Sequence, residues 1–296
     1  MLIGALEAGG SKMVCSIGDS QGNVLQRASF PTQSPGETIA QIVDFIGRFG
    51  VKALGIGSFG PLDLLPSSPT YGCIMRSPKT EWSGFPLLRE LRTALNVPCA
   101  IDTDVNAAAL AESVLGAGKG LSSLVYVTVG TGIGGGLILG GKLVHGMIHP
   151  ELGHMLMRPA RNDSMPDGVC PFHRGCLEGL ASGTAIEKRW GLSSRLMMPD
   201  HPAWELEAEY LAQMCVNVIL TVSPEIIVLG GGVMQQTHLF PRIRSRVLSL
   251  LGGYVASERV SEERISGYIV PPALGVNAGV AGALLLGAQA LGQDDF

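Results

Sequence analysis

Four residues of metal-ligand type fall between positions 154 and 176: His154, Cys170, His173 and Cys176. Three of them stand at C-x2-H-x2-C spacing, which lets one tight turn aim thiolate, imidazole and thiolate at a single point, as a tetrahedral zinc ion requires. His154 is the distant fourth ligand and closes the intervening loop onto the metal. Four protein ligands leave no open coordination position, so the expected Zn²⁺ is structural and not a reagent. The bland alternative makes Cys170 and Cys176 small buried hydrophobes. The loop before them argues against it, because Asn162, Asp163, Ser164, Pro166 and Asp167 make a poor core segment. A disulfide between Cys170 and Cys176 is the remaining rival. Two carboxylates bracket the cluster, Glu151 three residues before the first ligand and Glu178 two residues after the last. Fixing the metal therefore fixes two hydrogen-bond acceptors, an arrangement suited to a polyhydroxylated ligand.

Phosphate chemistry is written in glycine. Gly9-Gly10, Gly130-Thr131-Gly132 and Gly230-Gly231-Gly232 each follow an apolar run. Turns without Cβ atoms bring consecutive backbone N–H groups close to an anion, which suits phosphate oxygens. Neither G-x4-G-K-[S/T] nor G-x-G-x-x-G at a strand-to-helix junction is present, so the expected mode is hairpin-based. Thr131 adds a hydroxyl. Ser11 and Lys12 complete the first turn, although a lone lysine in a turn is more often simply solvated. Glu7 has two readings of equal weight, a carboxylate holding a water-ligated Mg²⁺ or an exposed strand end. Asp104 also has two. It opens a helix after a buried strand, where aspartate is a frequent cap, and on position alone the cap is favoured. The same place is where α/β enzymes point groups into a cleft. Granted a phosphate cleft, Asp104 fits a base that accepts the proton of a sugar hydroxyl during phosphoryl transfer.

The elements that must position these groups follow from periodicity. Leu2–Leu6 and Met13–Ile17 read as a β-hairpin around the first glycine turn, and Val24–Phe30 extends its sheet. Thr38–Phe49 has a helical period, Ala53–Gly57 is a buried strand, and residues 65–83 read as an ordered loop. Phe85–Leu95 reads as a helix, Val97–Ile101 as a strand and Asn106–Leu115 as a helix. After Gly116–Gly120 the pattern restarts: strand Leu124–Val129, the second glycine turn, and strand Ile133–Leu139. Helices over Leu180–Trp190 and Pro202–Val222, a strand over Glu225–Leu229 with a helix beyond Gly232, and a final helix over Asn277–Leu291 complete it. Two strand–turn–strand units, each opening one half, predict a duplicated α/β architecture with a cleft between lobes. The expected division is an N-terminal lobe over 1–118, with 277–296 packing back on it, and a C-terminal lobe over 119–276 with the zinc loop at 154–176.

Bulk properties narrow the function classes. The chain has 296 residues, 46% of them apolar and 16% charged, enough for a large core and without the signature of disorder. A net charge of −4 with no basic block argues against nucleic acid or a membrane surface as the main partner. Met1–Leu6 shows no positive n-region or cleavage site, and no apolar run reaches spanning length. Cys15, Cys73, Cys99 and Cys215 lack framework spacing, so a reducing, cytoplasmic setting is expected.

In order along the chain, Glu7–Lys12 (E-A-G-G-S-K), Asp104–Glu112 (D-x-N-A-A-A-L-A-E), Gly130–Gly136 (G-T-G-I-G-G-G), Glu151–His154 (E-L-G-H) and the Cys/His cluster together resemble the ROK family of sugar kinases, repressors and uncharacterised open reading frames. Gly57–Leu64 (G-S-F-G-P-L-D-L) and Tyr71–Trp82 (Y-G-x-I…S-P-K-x-x-W) resemble its bacterial fructokinase branch. The resemblance implies a two-lobed actin-like kinase fold, use of ATP and Mg²⁺, a structural Zn²⁺ and a homodimer. It makes Asp104 the general base and puts Glu151, Glu178, Thr103, Gly60 and Pro61 at the sugar. Gly9, Gly10, Ser11, Lys12, Thr131 and Gly132 fall at the phosphates and Gly230, Gly231 and Gly232 near adenosine. Departures from the family pattern are Glu7 for Asp, Ser11 for Thr, Thr103 for the Asn preceding the catalytic Asp, and one His where many members have a third Cys. The expected activity is transfer of phosphate from ATP to the 6-hydroxyl of D-fructose. Alternatives are a kinase for glucose, mannose or N-acetylmannosamine, or a non-catalytic sugar sensor. A DNA-binding repressor is disfavoured, since the first motif begins at residue 7 and leaves no room for a helix-turn-helix ahead of it.

Overall fold

The computed structural model describes residues 1–77 and 79–292; Pro78 of the S-P-K motif and residues 293–296 of the expected returning segment lie outside the described residues. An apolar run that barely alternates reads as a strand buried on both faces, and β1 (Ile3–Ala8) is one. Ile3 and Ala5 pack with Val14, Val280, Ala283 and Leu284 on one face. Leu6 and Ala8 join Met13, Ile42, Ile46 and Ile56 on the other. β2 (Lys12–Gly18) and β3 (Val24–Pro31) pair antiparallel, while β4 (Leu54–Ser58) and β5 (Cys99–Thr103) add in parallel, giving the order β3-β2-β1-β4-β5. α1 (Pro35–Gly47) and α2 (Leu87–Leu95) contribute Ile42, Ile46, Leu87 and Leu91 to the core on the Leu6 face.

The opposite face is covered by α8 (Ala278–Gln289), which packs on β1, β4 and α3 (Asp104–Val114). α8 is apolar all round, as a helix buried on every side must be. Small residues bring it to backbone distance: a Cβ on Gly282 would lie 1.8 Å from the Ala107 carbonyl oxygen. α3 starts two residues before the expected Asn106. Its cap is Thr103, whose side chain accepts the Asn106 N–H at 3.1 Å.

A second sheet contains β6 (Leu124–Val129), β7 (Ile133–Leu139), β8 (Lys142–Leu143), β9 (Ile226–Gly230) and β10 (Ile269–Val270). Its order, β8-β7-β6-β9-β10, repeats the connectivity of the first, which is the expected duplication. The single helix expected over Leu180–Trp190 is two, α4 (Leu177–Ala181) and α5 (Gly183–Trp190). Ser182 divides them because its hydroxyl caps α5 by accepting the Ala185 N–H at 3.2 Å. α6 (Ala203–Val222) and α7 (Leu239–Leu251) follow, and a single 3₁₀ turn, Val233–Gln235, stands directly after Gly232. Among the described residues no helix is long and apolar enough to cross a membrane.

By internal contacts the chain forms two units, residues 1–120 with 136–150 and 276–296, and residues 121–135 with 151–275. The boundary runs through β7. Residues 136–150, expected in a continuous C-terminal lobe over 119–276, group with the first unit, where His145 bonds Asp102 and His149 bonds Leu62.

The second unit contains a buried ion pair in the loop read as too polar for a core. Arg189 Nε donates to Asp163 Oδ1 at 2.8 Å, with side-chain exposures of 3% and 0%. Tyr210 Oη, Arg189 Nη2 and the Met165 N–H also donate to Asp163, and Arg189 Nη1 donates to the Leu180 carbonyl. Removing one partner strands a buried charge. Asp163→Ala is therefore expected to lower stability by about 3–5 kcal/mol, read as a fall in the urea midpoint with little change in slope.

Candidate functional site

In the first unit, the β5–α3 junction gathers the polar groups. Parallel pairing ends with Ser58 opposite Thr103, so β4 and β5 deliver their C-terminal ends to one place. Asp104 follows at once, and its Oδ1 accepts the Val105 N–H at 2.9 Å. The helix cap is Thr103, so the capping explanation of Asp104 falls away. Thr103, expected at the sugar, is 3% exposed. A hydroxyl that accepts the Asn106 N–H keeps its own proton to donate. Asp102 is buried behind them, accepting from the Thr103 N–H at 2.8 Å, from Asn106 Nδ2 at 2.7 Å and from His145 Nε2 at 2.8 Å. The bond to Asp102 raises the His145 pKa, against the opposing effect of burial.

Gly60 and Pro61 form a cis peptide beside His149. The Leu62 N–H donates to His149 Nε2 at 3.0 Å, so that nitrogen is an acceptor and the ring is neutral. Burial lowers the His149 pKa in the same sense. In the first glycine turn, the Gly9 N–H donates to the Lys12 carbonyl at 3.0 Å, and Lys12 is exposed. Period two along β1 places Glu7 on the face of Ile3 and Ala5, toward α8. A Cβ on Gly279 would lie 2.9 Å from the Glu7 carboxyl carbon. Glu7 is thus not an exposed strand end but a half-buried carboxyl against the first turn of α8, where the helix dipole favours negative charge. Burial raises its pKa, opposed by Arg27 and Lys12.

In the second unit the four ligand-type residues converge: one donor atom from each of His154, Cys170, His173 and Cys176 lies within 4.8 Å of the others. Cys170 Sγ is 3.9 Å from His154 Nδ1 and 3.7 Å from His173 Nδ1, and Cys176 Sγ is 3.8 Å from His154 Nδ1. A tetrahedral zinc with bonds of about 2.3 Å to sulfur and about 2.0 Å to nitrogen needs S···N edges of about 3.6 Å. The donor set fits that ion in type, number and spacing. Both cysteines are free thiols, so the disulfide rival is set aside.

Glu178 follows on α4. Its Oε2 accepts the Ile133 N–H at 2.9 Å, and a Cβ on Gly132 would lie 2.5 Å from that oxygen. The second glycine turn and the helix beside the Cys/His cluster are therefore joined through one carboxylate. α5 closes the turn from the other side, with the Gly183 N–H on the Gly130 carbonyl at 2.7 Å and Thr184 Oγ1 on the Thr131 carbonyl at 2.8 Å. Burial and, next, the nearby Glu178 push Glu151 up to about 7. The third glycine turn lies beside the second, because β9 pairs in parallel with β6 up to Thr128 opposite Gly230. Gly231 has φ +91°, and a Cβ there would lie 2.4 Å from the Val129 carbonyl oxygen. Only glycine satisfies both conditions. Asp102, His145 and His149 are the polar groups that sequence reasoning missed. No spacing signal links Asp102 to His145; the run of three ionisable or amide residues in Asp102–Asn106 was the available hint.

The model of the ROK family matches residues 3–290. The chain is similar to a fructokinase of Pediococcus pentosaceus, 43% identical over 291 residues that cover 98% of this chain and 99% of that protein. It is likewise similar to a fructokinase of Zymomonas mobilis subsp. mobilis, 41% identical over 293 residues, 96% of each. Among solved structures it is similar to a ROK hexokinase from Thermus thermophilus, with a TM-score of 0.81, 28% identity and coverage of 99% and 100%.

Proposed function

Since this chain belongs to the ROK family, we propose that it is an ATP-dependent fructokinase, transferring the γ-phosphoryl group of ATP to the 6-hydroxyl of D-fructose. The carrying observation is similarity over nearly the whole chain to relatives named fructokinase. Asp104 accepts the O6 proton as O6 attacks the γ-phosphorus; the bond from that phosphorus to the bridging oxygen breaks, and ADP leaves. Mg²⁺ bound with ATP would supply charge neutralisation on the transferring group. Backbone N–H groups and side chains of Gly9, Gly10, Ser11, Lys12, Thr131 and Gly132 bind the phosphates, and Gly230, Gly231 and Gly232 approach adenosine. Glu151, Glu178, Thr103, Gly60 and Pro61 bind the sugar. Glu178 already accepts one N–H, and a carboxylate has about four acceptor sites, which leaves capacity for hydroxyls. His154, Cys170, His173 and Cys176 hold Zn²⁺, which fixes the loop between Glu151 and Glu178 and takes no part in the transfer. The lobes of this kinase follow the two units, with residues 136–150 and the returning C-terminal helix in the first and residues 121–135 and 151–275 in the second. The protein is cytoplasmic and a homodimer, which light scattering tests. The activity itself is tested by coupled ADP release with Mg·ATP against fructose, mannose, glucose and N-acetylmannosamine. Highest kcat/KM with another sugar overturns fructose; no turnover with any sugar overturns the kinase.

Glu151 gives the site a pH dependence. A carboxyl with a folded pKa near 7 and a usual value of 4.5 holds its proton in the folded state across that interval. Stability therefore falls as pH rises from 4.5 to about 7 and is level above it. Sugar hydroxyls are better donors to the ionised form, so KM for fructose is expected to fall as pH rises through about 7. In Glu151→Gln the KM is expected to be higher and flat; a wild-type KM flat from about pH 6 to about pH 8 removes Glu151 as an ionised acceptor.

A further inference from the structure

We infer that His145 is a positioning residue for the Asp104 carboxylate, acting through Asp102 and the first turn of α3. This inference rests on the kinase reading. Asp102 is a buried carboxylate at the end of β5, and a buried charge needs partners. Its Oδ1 accepts from groups on either side of Asp104 in sequence: the Thr103 N–H at 2.8 Å and Asn106 Nδ2 at 2.7 Å. Its Oδ2 accepts from His145 Nε2 at 2.8 Å. With the Thr103 hydroxyl on the Asn106 N–H, these bonds close a ring around the backbone that carries Asp104.

Asn106 Nδ2 and His145 Nε2 approach to 3.5 Å. Both direct a hydrogen at Asp102, so the carboxylate fixes the imidazole as the Nε2–H form. Tyr71 and His149 also feel the Asp102 charge. His149 Nε2 is occupied by the Leu62 N–H, and the ring nitrogen bonded to Asp102 Oδ2 at 2.8 Å is His145 Nε2. The ring comes from the segment after β8, so a part of the chain outside β5 and α3 holds the catalytic turn. His145 is 36% exposed and Asp102 is 6% exposed at the side chain, so truncation of His145 lets water reach the carboxylate and loosens its other bonds.

A catalytic group displaced by about 1 Å loses about 10²-fold in rate. His145→Ala is therefore expected to lower kcat by about 10- to 100-fold with KM for fructose little changed. His145→Gln presents an amide N–H near the Nε2 position and restores most of kcat. Asp102→Asn combined with His145→Ala loses no more than the worse single variant, since both break one unit. If His145→Ala is too unstable to assay, His145→Asn replaces it: its amide mimics Nδ1, not Nε2, and shows the loss that Gln does not. Wild-type kcat in the Ala or Asn variant, or equal impairment with Gln matched by equal losses of Tm, overturns the inference. A wild-type protein inactive on every sugar overturns the kinase reading itself, and this inference with it; an active wild type with an unimpaired variant overturns the inference alone.

Discussion

Asp104→Asn is expected to turn over fructose about 10²- to 10⁴-fold more slowly than the parent, the range for loss of a positioned general base, while binding fructose about as tightly. The two readings of this residue make opposite predictions. A capping aspartate stabilises the helix by about 1 kcal/mol and leaves the chemistry alone. The structure gives the cap to Thr103, whose hydroxyl accepts the Asn106 N–H, so the start of α3 survives the change. The Val105 N–H now bonded to Asp104 Oδ1 can bond the Asn carbonyl in its place. The amide matches the carboxylate in shape and cannot accept the O6 proton. The fall should therefore appear in kcat, measured by coupled ADP release, with fructose affinity by calorimetry and the urea midpoint near parental values. Turnover within about tenfold of the parent removes Asp104 as the base.

What the sequence made legible was local. The Cys/His cluster was readable because three of its four residues lie within one turn, and the structure brings a donor atom from each of the four within 4.8 Å of the others. Strands and helices followed from periodicity, including the repeat of strand–turn–strand that returns as two sheets of the same order. What stayed hidden depended on pairing at a distance or on one hydroxyl. Thr103 took the cap that Asp104 seemed placed to supply, a difference of one residue that no period reveals. Ser182 cut one expected helix into two by the same chemistry. Asp163 sits in a run of polar residues and turns, yet its side chain is 0% exposed because Arg189 and Tyr210 meet it there. Glu7 was open to two readings, a Mg²⁺ carboxylate or an exposed strand end, and only the arrival of α8 gives its carboxyl a partner surface. Polar residues are exposed by default; tertiary pairing overrides that default, and a single sequence does not show the pair.

Cys176→Ser isolates the metal from every other role of this residue. Cys176 is the cap of α4, its Sγ accepting the Gly179 N–H at 3.4 Å. Serine is a better cap than cysteine, so the substitution keeps or improves the helix start. What it removes is one of the four donors of the proposed zinc site. Burial pushes the Cys176 thiol up to about 11, so an entering metal displaces its proton and supplies the energy to do so. Structural zinc binding is worth about 10–16 kcal/mol in isolated finger peptides. Here Asp163 and Arg189 tie the same loop to α5, so the loop keeps one anchor when the metal goes. The expected result is loss of one equivalent of zinc, a destabilisation on the order of several kcal/mol, and faster amide exchange over residues 151–178. Since Glu178 also receives the Ile133 N–H, loosening α4 disturbs the second glycine turn as well as the carboxylates proposed to bind the sugar. KM should therefore rise for both fructose and ATP, a joint effect that loss of a sugar contact alone would not produce. Combining Cys176→Ser with Asp163→Ala removes both anchors, and the losses should exceed their sum because each single variant is held by the other tie. A metal-free Cys176→Ser protein with parental urea midpoint and parental KM for both substrates sinks the structural role of the metal, and with it the account of how Glu151 and Glu178 are held.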